Sequence, residues 1–233
     1  MGGTPSRLVL GLSAFDADLA LLQAVRGRGD LSVRQIATMF VAEVHTTDAA
    51  LQRLRERGWL DRASPASGAP LDADAWLLNA DGAAARRQLL VDEALDAVRR
   101  LAIDRARSAL DPLDSLVRDL RDAAGSAGRM PDDDGDQRGV PIVAYEVHAR
   151  AERVVKHLAA KAPRFQHHAQ RLANNDPSGL TRPVAGADHA DSYSLAWSDL
   201  IDDIRSSVND RATAGVIRFD TGARPPTVRP SPL

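Results

Sequence analysis

The sequence predicts a mostly α-helical fold, with three short helices and a two-stranded hairpin at the front and long helices behind. Three observations carry that expectation. Alanine, leucine and valine dominate the apolar positions while aromatics make up only 4% of the chain, a balance that favours helices over a β-sandwich. Apolar residues recur three or four apart through most of the chain. Turn chemistry interrupts them at a few sharply placed points, above all Gly58, Ser64 to Pro70 and Gly125 to Gly139.

The elements follow in order. Asp16 to Arg26 reads as a first helix, with Phe15, Leu19, Leu22, Gln23 and Val25 giving the inward stripe and Gly27 and Gly29 ending it. Ser32 is placed to cap a second helix, Val33 to Phe40, whose inward face is Ile36, Ala37 and Phe40. A turn at Val41 to Val44 leads into a third helix from about Thr46 to Arg57, with Thr47, Ala50, Leu51 and Leu54 inward. Gly58 stops it, and Trp59 opens an extended segment. After the turn-forming Ser64 to Pro70, Asp74 to Leu78 returns as a strand with Trp76 and Leu78 on one face. Asn79 is placed to cap a long helix starting near Gly82, with Leu90, Ala94, Ala97 and Leu101 along one side. Asp111-Pro112 then reads as a break and restart, and Leu113, Leu116, Val117 and Leu120 continue to about Ala124.

Behind the acidic, glycine-rich linker the pattern from Ile142 to Asn174 is helical, broken at Pro163. Its seam is Val147, Ala151, Val154, Leu158, Ala162, Phe165, Ala169 and Leu172. Asn175 to His189 reads as loop. Ser192 to Asn209 reads as a last helix, with Leu195, Leu200, Ile201 and Ile204 apolar. Three helices followed by a hairpin make a winged helix-turn-helix, in which the third helix lies exposed on its outer side. The expected organisation is therefore residues 1–82 as the winged helix-turn-helix and 83–124 as long dimerising helices. Residues 125–140 follow as an acidic flexible linker, 141–212 as a C-terminal helical region and 213–233 as a disordered tail.

The run LSVRQIATMF, then TTDAALQRLRERGWLDR, then AWLLNADGAAARRQLL, resembles the MarR-type winged-helix regulators over roughly Asp16 to Ala124. In that family a similar helix ends in a Gly-apolar pair and enters the wing, and a Leu-Thr-x-x-Gly-like step opens a long helix, here Leu78 to Gly82. The resemblance implies a dimeric, sequence-specific DNA-binding transcriptional regulator. The chain departs from it in three ways. The dimerising helix usual ahead of the first is not expected here, the hairpin tip SPASGAP has no arginine for the minor groove, and the region after Gly125 has no counterpart.

With Thr47, Ala50, Leu51 and Leu54 inward, His45, Thr46, Ala49, Gln52 and Arg53 face out. Thr, Gln and Arg suit base edges, and Ala suits a thymine methyl. Arg34, Arg55, Arg57 and Arg62 flank that face and suit phosphates. Glu43 and Asp48 oppose them. Arg26 to Arg62 holds seven arginines and five acids, a modest net of +2, which a dimer doubles. The net charge of the whole chain is −2, so any attraction for DNA must be local. The acids on the third helix also suit a second reading, a winged helix that docks a protein and binds no DNA. A small-molecule effector between the front module and the seam is a further expectation, with no residues that identify it.

Other chemistry finds little support. The absence of cysteine excludes disulfides, thiolate nucleophiles and cysteine-bound zinc. Asp132 to Asp136 fails the EF-hand pattern, because Gln137 and Val143 stand where a Gly and a Glu are needed. The histidines His148, His157, His167, His168 and His189 lack metal-ligand spacing and read as helix-surface residues, so no metal and no cofactor is expected. No nucleophile elbow, phosphate-binding loop or His-Glu-x-x-His is present, so an enzyme is not expected. Arg150, Arg153, His157, Lys161, Arg164, His168 and Arg171 form a basic stripe. It suits either phosphates or, preferably, the six aspartates between Asp188 and Asp210. No run approaches membrane-spanning length, and Leu8 to Phe15 is short for a secretory core, so a cytoplasmic protein is expected.

Overall fold

A computed structural model describes residues 11–29, 31–63, 75–127, 139–181 and 193–220. The expectations for the turn Ser64 to Pro70, the middle of the linker, His189 and the last 13 residues fall outside the described residues. The molecule is mostly helical, with one small antiparallel sheet. In chain order the elements are α1 (Ala14–Arg28), β1 (Leu31–Ser32), α2 (Val33–Met39), α3 (Val44–Glu56), β2 (Leu60–Arg62), β3 (Ala75–Leu78), α4 (Ala80–Leu95), α5 (Ala97–Ala127), α6 (Gly139–Lys161), α7 (Gln166–Asn174) and α8 (Tyr193–Asp220). Short 3-10 turns at Pro163–Phe165 and Pro177–Thr181 follow α6 and α7.

Local chemistry fixes the front elements. Ser13 Oγ accepts from the Asp16 amide and starts α1. Ser32 and Gln35 exchange a full capping box at the head of α2. Gly29 and Gly58 take positive φ angles of 77° and 75° just beyond α1 and α3, a region that costs an L side chain dearly. Thr47, Ala50, Leu51 and Leu54 of α3 are buried, as are Ile36, Ala37 and Phe40 around α2. They close one core with Leu21, Leu22, Val25, Leu60 and Trp76.

The sheet differs from the expected two strands. Its order is β1-β3-β2: Leu31 pairs with Trp76, and Leu60 to Arg62 pair with Leu78 to Trp76. β1 is only two residues long, too short for any periodic signal, yet its pairing satisfies the free side of β3. Asn79 caps α4, its side chain accepting from the Gly82 amide and donating to the Gly58 carbonyl. α4 opens at Ala80, two residues ahead of the expected start.

The back of the molecule holds a second core, built by α5, α6, α7 and α8 around Ile103, Leu110, Val117, Leu158, Phe165 and Trp197. Five expectations are corrected here. The long helix breaks at Asp96, not at Asp111-Pro112: the Asp96 side chain accepts from the Val98 and Arg99 amides and so caps α5. α5 then runs through Pro112, which lies exposed, while Ala106, Leu110, Leu113 and Val117 keep one buried stripe through it. The break shifts the phase of the stripe, so Leu90 is buried but Ala97 and Leu101 are exposed. The linker is shorter than residues 125–140, because α5 reaches Ala127 and α6 begins at Gly139, and α8 extends to Asp220, eight residues into the expected tail. The buried stripe of α5 is covered by α6 and α8 of the same chain, so it does not call for a second copy.

α1 joins the two halves. Every residue from Asp16 to Val25 is buried, because the helix packs against α3 and β3 on one side and α4 and α8 on the other. Gly82, in the first turn of α4, lies close against the hairpin. A Cβ there would stand 2.0 Å from the Trp59 carbonyl oxygen and 2.7 Å from Leu78 Cδ1. Gly82→Ala is therefore expected to force backbone movement and cost about 1–3 kcal/mol, read by chemical denaturation. An unchanged midpoint would show that hairpin and α4 separate freely.

Candidate nucleic-acid interface and buried junction

α3 rests on α1, α2 and β2 and turns its opposite side outward. Of the residues expected to face DNA, Arg34, His45, Ala49 and Arg55 are exposed and Thr46, Gln52 and Arg53 are half-buried. Arg34, His45 and Arg62 share one open groove with Ser32, Val44 and Asp48, where α2, α3 and the sheet meet. Arg53 and Arg55 lie in the last turn of α3, where the helix dipole also favours them. Two of the arginines among them are engaged with carboxylates. Arg57 pairs with Asp18 of α1 and lies over the Trp59 ring, and Arg62 reaches Asp48 at 3.5 Å while lying 4.6 Å from the Trp76 ring centroid. Arg34 and Arg55 make no ion pair among the described residues. At the N-terminal end of α3, Glu43 makes no side-chain cap and stands 3.3 Å from His45, both well exposed. Among the described residues the surface thus offers an arginine without an ion pair near each end of α3, Arg34 and Arg55, with Glu43 and Asp48 toward the N-terminal end.

The more unusual chemistry lies behind this surface. Arg164, in the 3-10 turn after Pro163, is completely buried. Its Nε and Nη2 donate to the two oxygens of Glu93 on α4 at 2.8 and 3.2 Å, Nη1 donates to Asp203 on α8 at 2.7 Å, and Nη2 also reaches Ser207 at 2.7 Å. Its guanidinium stands 3.8 Å from the Phe165 ring centroid. Burial alone would lower the pKa of Arg164, but the Asp203 and Glu93 carboxylates outweigh it and raise it. Burial pushes Asp203 up, and Arg164 with the His168 hydrogen bond reverses that and holds it far below the usual carboxylate range.

Further polar groups extend the junction in both directions. Gln23 of α1 donates to Asp203 at 2.9 Å and accepts from Arg86 at 2.7 Å, and Arg86 reaches Asp210 at 2.6 Å. Asp199 of α8 accepts from Arg28 of α1 and from Arg171 of α7, each at 2.6 Å. His168 Nε2 lies 3.1 Å from Asp203, and His167 Nδ1 lies 2.8 Å from the Arg164 carbonyl, to which it can only donate. The two imidazoles stand 3.9 Å apart, and His167 stacks on Phe40 at 4.4 Å. Burial, then the neighbouring His168, lowers the pKa of His167 well below the ordinary value.

The expectation of surface histidines is therefore corrected for His167 and His168, which are buried, and for His148, which is half-buried with Nδ1 2.9 Å from the Tyr193 hydroxyl. Only His157 of that group is exposed among the described residues. The basic stripe divides. Arg164, His168 and Arg171 turn to the aspartates of α8, as preferred from the charge pattern, and are withdrawn from any phosphate; Arg150, Arg153, His157 and Lys161 stay exposed. Glu93, Arg86 and Arg28 were not expected at this junction, and Gln23 was placed inward without a polar partner. A signal existed on α4, where Arg86, Leu90 and Glu93 share the inward register, but charges at such positions read as surface until a partner is seen.

The space left at this junction is a cavity of 40 Å³ lined by α1, α7 and α8. Organic ligands need roughly 300 Å³ or more, whereas a water needs on the order of 10–15 Å³. This cavity has the size of an ion or a few waters. No family model, no curated protein and no solved structure matches the chain.

Removing Arg164 strands two buried carboxylates, so Arg164→Leu is expected to cost about 3–5 kcal/mol in chemical denaturation. Arg164→Lys is expected not to restore it, because an ammonium cannot reproduce the forked contact to Glu93. Full recovery by Lys would reduce the junction to a simple charge requirement.

Proposed function

We propose that α1 to β3 form a winged helix-turn-helix resembling the MarR-type regulators, and that the protein is a sequence-specific DNA-binding transcriptional regulator. The observation that carries this reading is the uncovered outer side of α3, with Arg34, His45 and Arg62 grouped at one end and Arg53 and Arg55 at the other. α3 spans about 20 Å, and a major groove roughly 12 Å wide admits such a helix. In this reading His45, Thr46, Ala49, Gln52 and Arg53 meet base edges, and Arg34, Arg55, Arg57 and Arg62 meet phosphates. Arg57 and Arg62 exchange internal carboxylates for phosphates on binding, which makes their contributions smaller than those of Arg34 and Arg55.

The test is selection of binding sites from random duplex DNA, followed by fluorescence titration over a salt series. Affinity is expected to fall steeply with salt. Arg53→Ala is expected to cost about 1–3 kcal/mol and relax specificity, and Arg34→Ala to weaken all sequences alike. No binding at low salt ends this reading. A protein-docking module is the second reading, favoured by Val41 and Val44, which lie 50% and 47% exposed beside Glu43 at the turn before α3.

Dimerisation belongs to the same proposal. The stripe of α5 is already covered, so the self-contact is assigned to the corner between α4 and α5, where Leu95, Val98 and Leu101 are 71%, 58% and 49% exposed. The replacements Val98→Asp and Leu101→Asp together are expected to convert a dimer into a monomer by light scattering. A dimer that survives both places the contact elsewhere.

A further inference from the structure

We propose that His167, His168 and Asp203 form a binding site for one divalent transition-metal ion of the zinc class. One nitrogen of each imidazole and one carboxylate oxygen of Asp203 lie within 4.8 Å of one another, and all three residues are buried. They line the 40 Å³ cavity at the junction, a volume that suits an ion. Two imidazoles with one carboxylate is a donor set for zinc and its first-row neighbours, not for calcium or magnesium, which take oxygen.

Three features separate this cluster from a chance meeting of side chains. First, the orienting groups around the donors are in place. His167 donates from Nδ1 to the Arg164 carbonyl, which leaves Nε2 its lone pair, and one Asp203 oxygen is held by Arg164 and Gln23 while the other faces His168. Second, His168 Nδ1 is buried with no hydrogen-bond partner among the described residues, so the imidazole is not fully accounted for by protein contacts. Third, the charge around the cavity suits a cation. Asp199 and Asp202 add carboxylates to the wall. Of the arginines only Arg26 lines the cavity, on its exposed side.

The site joins α7 and α8 beside α1, and His167 carries it to Phe40 at the end of α2. Metal bound there stiffens the contact between the back helices and the front module. The proposal is tested on the free protein and stands whether or not α3 reads DNA.

The experiment strips the full-length, tag-free chain with a chelator and titrates it with Zn²⁺ and with Co²⁺. Expected are saturable uptake of one ion per chain at micromolar or lower concentration, a higher thermal midpoint, and a visible Co²⁺ absorption of tetrahedral intensity. His168→Gln and His167→Phe, the latter keeping a ring on Phe40, are each expected to weaken uptake at least tenfold. His157→Ala, an exposed control, is expected to leave it unchanged. Absence of saturable equimolar uptake by the unmodified chain overturns the proposal without recourse to any variant. Uptake that survives both substitutions, or is lost with His157→Ala, overturns it too.

Discussion

One buried guanidinium holds this molecule in its arrangement. Arg164 takes up both oxygens of Glu93 on α4, one oxygen of Asp203 on α8 and the hydroxyl of Ser207, with the Phe165 ring beside it. Its planar fork lets a single residue fix three elements at once. Such a cluster is a weak argument for stability, since an apolar replacement of all its members often does as well. It is a strong argument for specificity. An apolar contact tolerates sliding by an ångström, but a forked ion pair with no water around it does not. The position of α8 relative to α4 is therefore set by the geometry of hydrogen bonds, while the two apolar cores on either side supply most of the driving force.

That arrangement explains why α1 is buried along its length. A helix in a small front module would show one apolar face and one wet face. Here the face turned away from α3 and β3 meets α8, and it carries Gln23 and Arg28, whose polar groups end on Asp203 and Asp199. Asp16 and Asp18, buried near the start of the same helix, meet Arg99 and Arg57 in the same way. The front and back of the molecule are thus joined by charge pairs near both ends of one helix, Asp16–Arg99 and Arg28–Asp199, with Gln23 between them, while Asp18–Arg57 ties α1 to the end of α3. The reciprocal fit requires the polar residues of α1 to match positions nearly two hundred residues away in sequence.

The front elements were legible in the sequence because their signals are local. Ser32 with Gln35, Gly58 and Asn79 act within a few residues of themselves, and the inward set of α3 follows directly from its spacing. What escaped was decided by partners far along the chain. Pro112 looks like a break until the stripe through it is seen packed on α6 and α8, and Asp96 looks like any surface acid until it caps the helix after it. β1 has too few residues to show alternation. His167 and His168 occupy helix positions that face a neighbour only because Pro163 redirects the chain before α7. Of the residues expected to face outward, Arg34, His45, Ala49 and Arg55 are exposed, but the sequence did not show that Arg57 and Arg62 are partly committed to Asp18 and Asp48.

The junction also bears on how α3 is presented. α2 ends at Phe40, whose ring is stacked on His167, and the turn that follows leads directly into α3. The same α7 helix that carries His167 ends at Asn174, which shares an open groove with Arg34, Val41 and Glu43. The back helices therefore touch the front module at the two points that set the entry to α3, and they leave its outer side free. A change in the packing of α7 must act on α3 through Phe40 and this groove, since the strands and α1 hold the remaining sides. The influence of α7 on α3 therefore enters at its N-terminal end, where His45 and Glu43 stand, while α8 reaches the other end through α1 and the Asp18–Arg57 pair.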